Sequence, residues 1–259
     1  MKGNWISAWG VYSVWRRHAR VYQKTWLVNS LPPLSEPLIY LIAFGYGLTP
    51  LVGEVSYRGE TMGYLQFLAP GMMAVAVLFQ SFFESSYGSF VRLSFQKTWQ
   101  ALLTSPLTFT EVFLGDWLWG TTKGVVAGTI TGLLAVIWGL YSGWQLLLSL
   151  PIILLGSLTF AAAGLLTAGT VRTVDQINVP IFLFVIPMFT FCGTYFPRET
   201  LPLVLGKVAA ILPLASLVDL LRWHLGFPEW WFLSLFWLLL WMGIFVVLAW
   251  RQIYPQLIH

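Results

Sequence analysis

Glu36, Glu84 and Lys123 fall inside long apolar stretches of this 259-residue chain. A charge at membrane depth is costly, and it marks either a transport path or a pairing site. All three lie at similar depth on one side, so Lys123 is expected to pair with Glu84 or Glu36. Such a pair fits simple packing as well as it fits a gate or a substrate path. Other chemistry lacks the residues to carry it. The chain has no GxxxxGK[ST] phosphate loop, no HExxH helix and no paired Asp-rich motif. His18, His224 and His259 are scattered without metal-ligand spacing, and Cys192 reads as a small buried hydrophobe. No Gly-x-Ser-x-Gly turn marks a nucleophile. The expectation is a non-catalytic chain that binds no metal or cofactor of its own.

The elements that hold these charges are apolar throughout. Hydrophobic residues make up 58% of the chain and charged ones 9%, against about 25% charged in a soluble domain. The net charge of +4 is not gathered into a stripe that would hold nucleic acid. Apolar runs predict an all-α polytopic membrane protein with six spans: about 27–48, 64–90, 117–140, 146–170, 179–193 and 231–250. The fifth is short for a full crossing. Ahead of them, residues 1–24 mix Arg16, Arg17, Arg20 and Lys24 with Trp5, Trp9, Tyr12, Trp15 and Tyr22, which predicts an amphipathic interface helix. No internal repeat or linker divides the chain, so 1–259 is one domain, with the bundle over 27–250 and a tail over 251–259.

Orientation follows from the basic residues. With both termini cytoplasmic, ten of the 14 Lys and Arg lie inside and four outside. Pro32, Pro33 and Pro37 are expected to kink or open the first span. The longest inner loop, 92–111, reads as helical where Phe95, Trp99, Leu102 and Leu103 recur, until Ser105-Pro106 stops it. Between the fifth and sixth spans, 194–229 is too polar for a crossing and too apolar for a solvated loop, which fits a pair of re-entrant helices. Asp219 and Arg222 stand at i,i+3 there and are expected to pair. Gly124, Gly128 and Gly132 form a small-residue face for close helix packing.

Several blocks are familiar in order and spacing. They are Trp15-Arg16-Arg17; Glu36-Pro37-Leu38-Ile39-Tyr40-Leu41; Tyr64-x-x-Phe67-Leu68 with Gly71-Met72; Phe90-x-Arg92; Gln96-Lys97-Thr98-Trp99-Gln100-Ala101; Leu114-Gly115-Asp116; Trp119 to Lys123; Phe196-Pro197 with Leu201-Pro202; and Pro213-Leu214-Ala215-Ser216 with Arg222. Over about 200 residues the chain resembles the membrane subunits of ABC-2 type exporters, and among them the NodJ-like permeases linked to lipo-oligosaccharide export.

The resemblance implies an inner-membrane permease that dimerises with a second copy and binds two ABC ATPase subunits, which carry ATP and Mg. It places a coupling helix over Phe95 to Leu103, with Thr98 inside it and Lys97, Trp99 and Gln100 as the principal ATPase contacts. Related sequences often carry Glu where Gln100 stands, so an ion pair there is lost while docking is not. Phe196, Pro197, Pro202, Pro213, Asp219 and Arg222 would form an outer gate. The expected cargo is a lipid-linked glycan or another amphipathic molecule met within the membrane lipid. Export of hydrophobic drugs fits the same apolar spans. A proton-coupled transporter resting on Glu36 and Glu84, or an enzyme acting on a lipid carrier, is a further alternative.

Overall fold

The computed structural model describes residues 7–225 and 231–258, with the side chains at 27–34, 36 and 37 outside that description. Lys2, Pro228, Glu229 and His259 lie outside the described residues, as do the side chains of Glu36, Pro32, Pro33 and Pro37. Ten main helices and one hairpin organise what is described, besides short helical turns at Thr49–Val52, Arg198–Thr200 and Trp223–Leu225. In chain order they are α1 (Ala8–Gln23), α2 (Trp26–Gly47), β1 (Glu54–Tyr57), β2 (Glu60–Gly63), α3 (Tyr64–Phe95), α4 (Thr98–Leu103), α5 (Phe109–Ile137), α6 (Gly143–Thr170), α7 (Asp175–Phe191), α8 (Leu203–Ile211), α9 (Pro213–Leu221) and α10 (Trp231–Leu257).

Local sequence sets several of these boundaries. A capping box between Thr108 and Glu111 starts α5, and one between Ser142 and Gln145 starts α6. Gly139, at φ 69°, ends α5 in a Schellman turn: its N–H donates to the Val136 carbonyl and that of Leu140 to Ala135. Pro197, Pro202 and Pro213 each open a short helical element, where a fixed φ is favourable and no N–H is missed.

Among the described residues, α3, α5, α6 and α10 are each long and apolar enough to cross a membrane. The pair α8–α9, bent by 85°, would add a fifth if counted as one span. Six separate crossings are more than length and composition alone carry. Helix α7 has 17 residues, about 26 Å against a hydrocarbon core of about 30 Å. Helix α2 is not opened at its prolines: its backbone stays helical from Trp26 to Gly47 through all three. Their φ suits a helix even where N–H donors are lost.

Helix α3 is the centre, 78% buried in its most apolar window, while α10 is 17% buried in its own. Helix α5 packs on α3, α6 and α1, and α6 packs on α10. The glycine face of α5 is the seam: Gly120 faces Ser85, Gly124 faces Ser81 and Ser157, and Gly128 faces Val77, all too close for a Cβ. The other departure is the β1–β2 hairpin. Its two-residue turn, Arg58-Gly59, has φ of 54° and 83°, a primed turn that matches strand twist. Val55, Tyr57 and Met62 bury the inner face of this hairpin against the start of α3.

Candidate functional site

The α4 end of the bundle holds a buried ionic cluster. Arg92 Nη1 donates to Glu84 Oε1 at 3.0 Å, and its Nε lies 2.9 Å from Asp116 Oδ1. Nη2 reaches Ser89 Oγ at 3.1 Å. Lys123 Nζ stands 3.8 Å from Glu84 Oε2 and 3.8 Å from the centre of the Tyr22 ring. Trp119 Nε1 donates to Glu84 Oε1 at 2.9 Å, and His18 Nε2 lies 3.2 Å from Asp116 Oδ1. Asp116 is fully buried. A cavity of about 450 Å³ opens onto this cluster, lined by Arg17, Tyr22, Glu84, Arg92, Trp119 and Lys123 among others.

Backbone geometry explains how Glu84 and Arg92 meet. Eight residues of regular helix overshoot alignment by about 80°. In α3 the stretches Glu84–Gly88 and Val91–Phe95 are π-helical, with more residues per turn, which brings the two side chains onto one face. Helix α1 closes the cluster from the side. Glu111 accepts from the Ser7 N–H at 2.9 Å, Val14 fills the notch at Gly115, and Trp15 Nε1 donates to Thr122 at 2.9 Å.

A second polar cluster lies at the hairpin end. Asp219 on α9 pairs with Arg198 and stands 3.8 Å from Arg58 in the hairpin turn. Arg222 points elsewhere. Its Nη1 donates to Gly193 O at 2.7 Å, its Nε and Nη2 to Phe67 O at 3.3 and 3.0 Å, and Nη2 also to Thr194 O at 3.3 Å. Its guanidinium sits 3.6 Å over the Phe67 ring, and the side chain is 1% exposed. The expected Asp219–Arg222 pair is therefore absent. Arg222 follows the last turn of α9 and swings to the start of α3, leaving Asp219 to the two outer arginines. Phe196 is half-buried beside the buried Pro197, whereas Pro202 is exposed and Pro213 buried.

Between the π turns and α5, Lys97 takes a left-handed conformation at φ 50°, which turns the chain into α4. Phe95 is 66% exposed, and Lys97 and Gln100 are exposed with it. Thr98 and Trp99 are buried, and Leu103 is half-buried. The Trp99 ring packs on Phe109 and Phe113, with ring centres 6.1 and 6.4 Å away. Trp99 thus anchors α4 to α5 and is not itself a surface contact, which corrects its expected role. The helix is also shorter than expected, because Phe95 belongs to α3.

A family model described as ABC-2 type transporter matches residues 10–226. The chain belongs to the ABC-2 type transporter family. It is 36% identical to "Nodulation protein J" of Rhizobium leguminosarum bv. viciae, over 85% of this chain and 81% of that protein. It is 35% identical to the protein of the same name from Rhizobium meliloti strain 1021, over 83% and 81%. It is 24% identical to "Inner membrane transport permease YadH" of Escherichia coli K12, over 82% and 80%. As an ABC-2 type permease the chain is a multi-pass membrane transport protein of a generally non-catalytic kind, and the family implies an ABC ATPase partner.

Within this permease the structure brings Glu84 and Lys123 together and adds three residues not expected in that pair: Arg92 and Asp116, noted only in the family blocks, and His18. The expected inner loop starts at Arg92, whereas α3 continues through it to Phe95. Asp116 stands seven residues before Lys123, on the same face of α5, which is the signal that would have found it. His18 continues the buried stripe of Gly10 and Val14.

Burial lowers His18 to about 4, with Asp116 opposing the shift only in part. The docked imidazole is therefore held in its neutral form, with Nε2 beside the Asp116 carboxylate. An undocked His18 titrates near 6.5, so between 6.5 and 4 the undocked form binds more protons. Docking of α1 is expected to weaken by about 3 kcal/mol as pH falls through that window, and to be unaffected above it. Proteolysis near Gly10 at pH 7 and pH 4.5 reads this, and His18→Gln should flatten the difference. An unchanged cleavage rate in the parent protein would sink the assignment.

Proposed function

We propose that this chain is the membrane half of an exporter driven by ATP hydrolysis on partner subunits, moving an amphipathic, lipid-linked glycan outward from the cytoplasmic side. The family match over residues 10–226 carries the reading. The relatives named for nodulation, at 36% and 35% identity, agree with the resemblance to NodJ-like permeases, and the glycolipid cargo rests on that resemblance. In this reading α2, α3, α5, α6, α7 and α10 form six spans of one domain over 1–259. Helix α1 lies at the inner interface, and α8–α9 re-enters from the outer side. Both termini are cytoplasmic, and two copies face one another around the path.

Helix α4 would be the coupling element. Its short length, the exposed Phe95, Lys97 and Gln100 and the buried Trp99 support a rigid knob presented to an ATPase. When ATP closes two such ATPases, α4 moves as one body with α5 through Trp99, and the neighbouring Arg92 passes the displacement to Asp116 and α1. The outer side would open by releasing Asp219 from Arg58 and Arg198, which unclasps the hairpin from α9. The chain itself never touches the nucleotide; the partner's ligand shifts the population of its two states.

Co-purification tests the coupling surface. Phe95→Asp combined with Gln100→Ala is expected to cut recovery of the ATPase subunit about 10- to 30-fold, as loss of an interface anchor does. Thermal stability of the permease should stay unchanged, because both side chains are exposed. Full ATPase recovery with the double variant, or a parent chain that brings down no ATPase after cross-linking in the membrane, would remove the proposal.

A further inference from the structure

Helix α1 presents two faces with different chemistry. One face, through Gly10, Val14 and His18, is buried against α5. The other gathers Trp9, Ser13, Arg16, Arg17, Arg20 and Lys24 within a sector of about 100°, around a cavity of about 360 Å³. None of these four cations has a carboxylate within 4 Å among the described residues. The carboxylates that α1 does meet, Glu111 and Asp116, touch it on the packed face. Among the described residues these four positive charges, rimmed by exposed Trp9 and Val21, stand without a carboxylate and are open to anions from outside the chain.

Their position identifies the source. Lys24 stands two residues before Trp26, where the apolar helix α2 begins. Trp26 is 58% exposed, as an indole at the headgroup level of a bilayer would be. The stripe therefore runs along the boundary where α2 enters the membrane, the depth at which phosphodiester headgroups lie. Cations at that depth attract anionic lipid, each adding to the others. We infer that Arg16, Arg17, Arg20 and Lys24 form a binding site for the headgroups of anionic phospholipids in the leaflet that α1 touches. The inference deepens the reading of α1 as an interface helix and rests on it, while the identity of the cargo does not enter. Arg17 also lines the 450 Å³ cavity beside Glu84, so a headgroup held on the stripe abuts the entrance to the ionic cluster.

The test uses the full chain, purified with any bound ATPase subunit. It is equilibrated with mixed micelles of equal phosphatidylglycerol and phosphatidylcholine, and the retained lipid is then quantified. The parent protein is expected to enrich phosphatidylglycerol about tenfold, with the enrichment lost at about 1 M salt. R16Q/R20Q/K24Q should enrich it less than about threefold, while R16K/R20K retains the preference. These substitutions leave the packed face intact, and the salt titration of the parent protein needs no variant. No enrichment by the parent protein, or full enrichment by the glutamine variant, would overturn the site. A glutamine variant that keeps its lipid preference but sheds the ATPase would also overturn it and assign the stripe to that protein. Loss of ATPase from the parent chain itself would instead count against the exporter reading and leave the lipid result standing.

Discussion

Arg92→Met is expected to destabilise the purified protein by about 3–5 kcal/mol, the cost of breaking a buried ion pair from one side. At this chain length that corresponds to a fall in unfolding midpoint of about 6–20 °C. Arg92 alone joins Glu84, at 3.0 Å, to Asp116, at 2.9 Å. Without it, Asp116 keeps only a neutral His18, and Glu84 keeps Trp119 and the more distant Lys123. Arg92→Lys preserves the charge but not the planar fork, so it should recover less than half of the loss. The companion variant Arg92→Met with Asp116→Asn removes both the cation and the stranded carboxylate. It should be more stable than Arg92→Met alone, since the penalty comes chiefly from an uncompensated charge. A midpoint within about 1 °C of the parent for the single variant would show that the cluster carries no such energy. Transport should fall with the midpoint, because Arg92 lies three residues from the exposed Phe95 and ties that end of α3 to α5.

The second large effect is expected at the opposite end. Arg222→Leu leaves the carbonyls of Phe67, Gly193 and Thr194 without their shared donor in a buried setting. Hydrogen bonds to a charged group are worth about 1.5–3 kcal/mol each, so a loss above about 4 kcal/mol is expected. Lysine at this position cannot reach three carbonyls in one plane and should not restore the protein. Limited proteolysis between Thr194 and Pro202 reads the effect locally. Cleavage should rise at least tenfold for Arg222→Leu, while Arg198→Gln changes it less, because Arg198 is more exposed and makes an outlying pair. Equal cleavage in the two variants would mean that Arg222 does not hold the loop.

The long helices were legible because each is an uninterrupted apolar run. α6 begins and ends within three residues of the expected span, and α3 begins at the expected Tyr64. The meeting of Glu84 with Lys123 was legible too, since counting residues from either membrane side gives their depth. Arg92 was not, because residues eight apart diverge on a regular helix and only the π turns realign them. The hairpin escaped because Arg58 occupies a positive-φ position that a sequence reader reserves for Gly, Asn or Asp. The i,i+3 rule also misled at Asp219 and Arg222. It assumes the helix continues past Leu221, but α9 ends there, and backbone carbonyls outcompete the carboxylate for the guanidinium. For Trp99, the apolar spacing that identified a helix also marked the face that must be covered.

The π turns of α3 have a mechanical side as well. Each holds one residue more than a regular turn would, so the helix is a screw wound with slack in its thread. If one i→i+5 turn relaxes to i→i+4, everything beyond it advances by about 1.5 Å and rotates by about 100°. Arg92 and Phe95 lie beyond the first π turn and turn with the tip, while Tyr64 to Phe83 stay packed in the centre of the bundle. Helix α3 can thus dial its α4 end to a new setting without sliding its buried shaft.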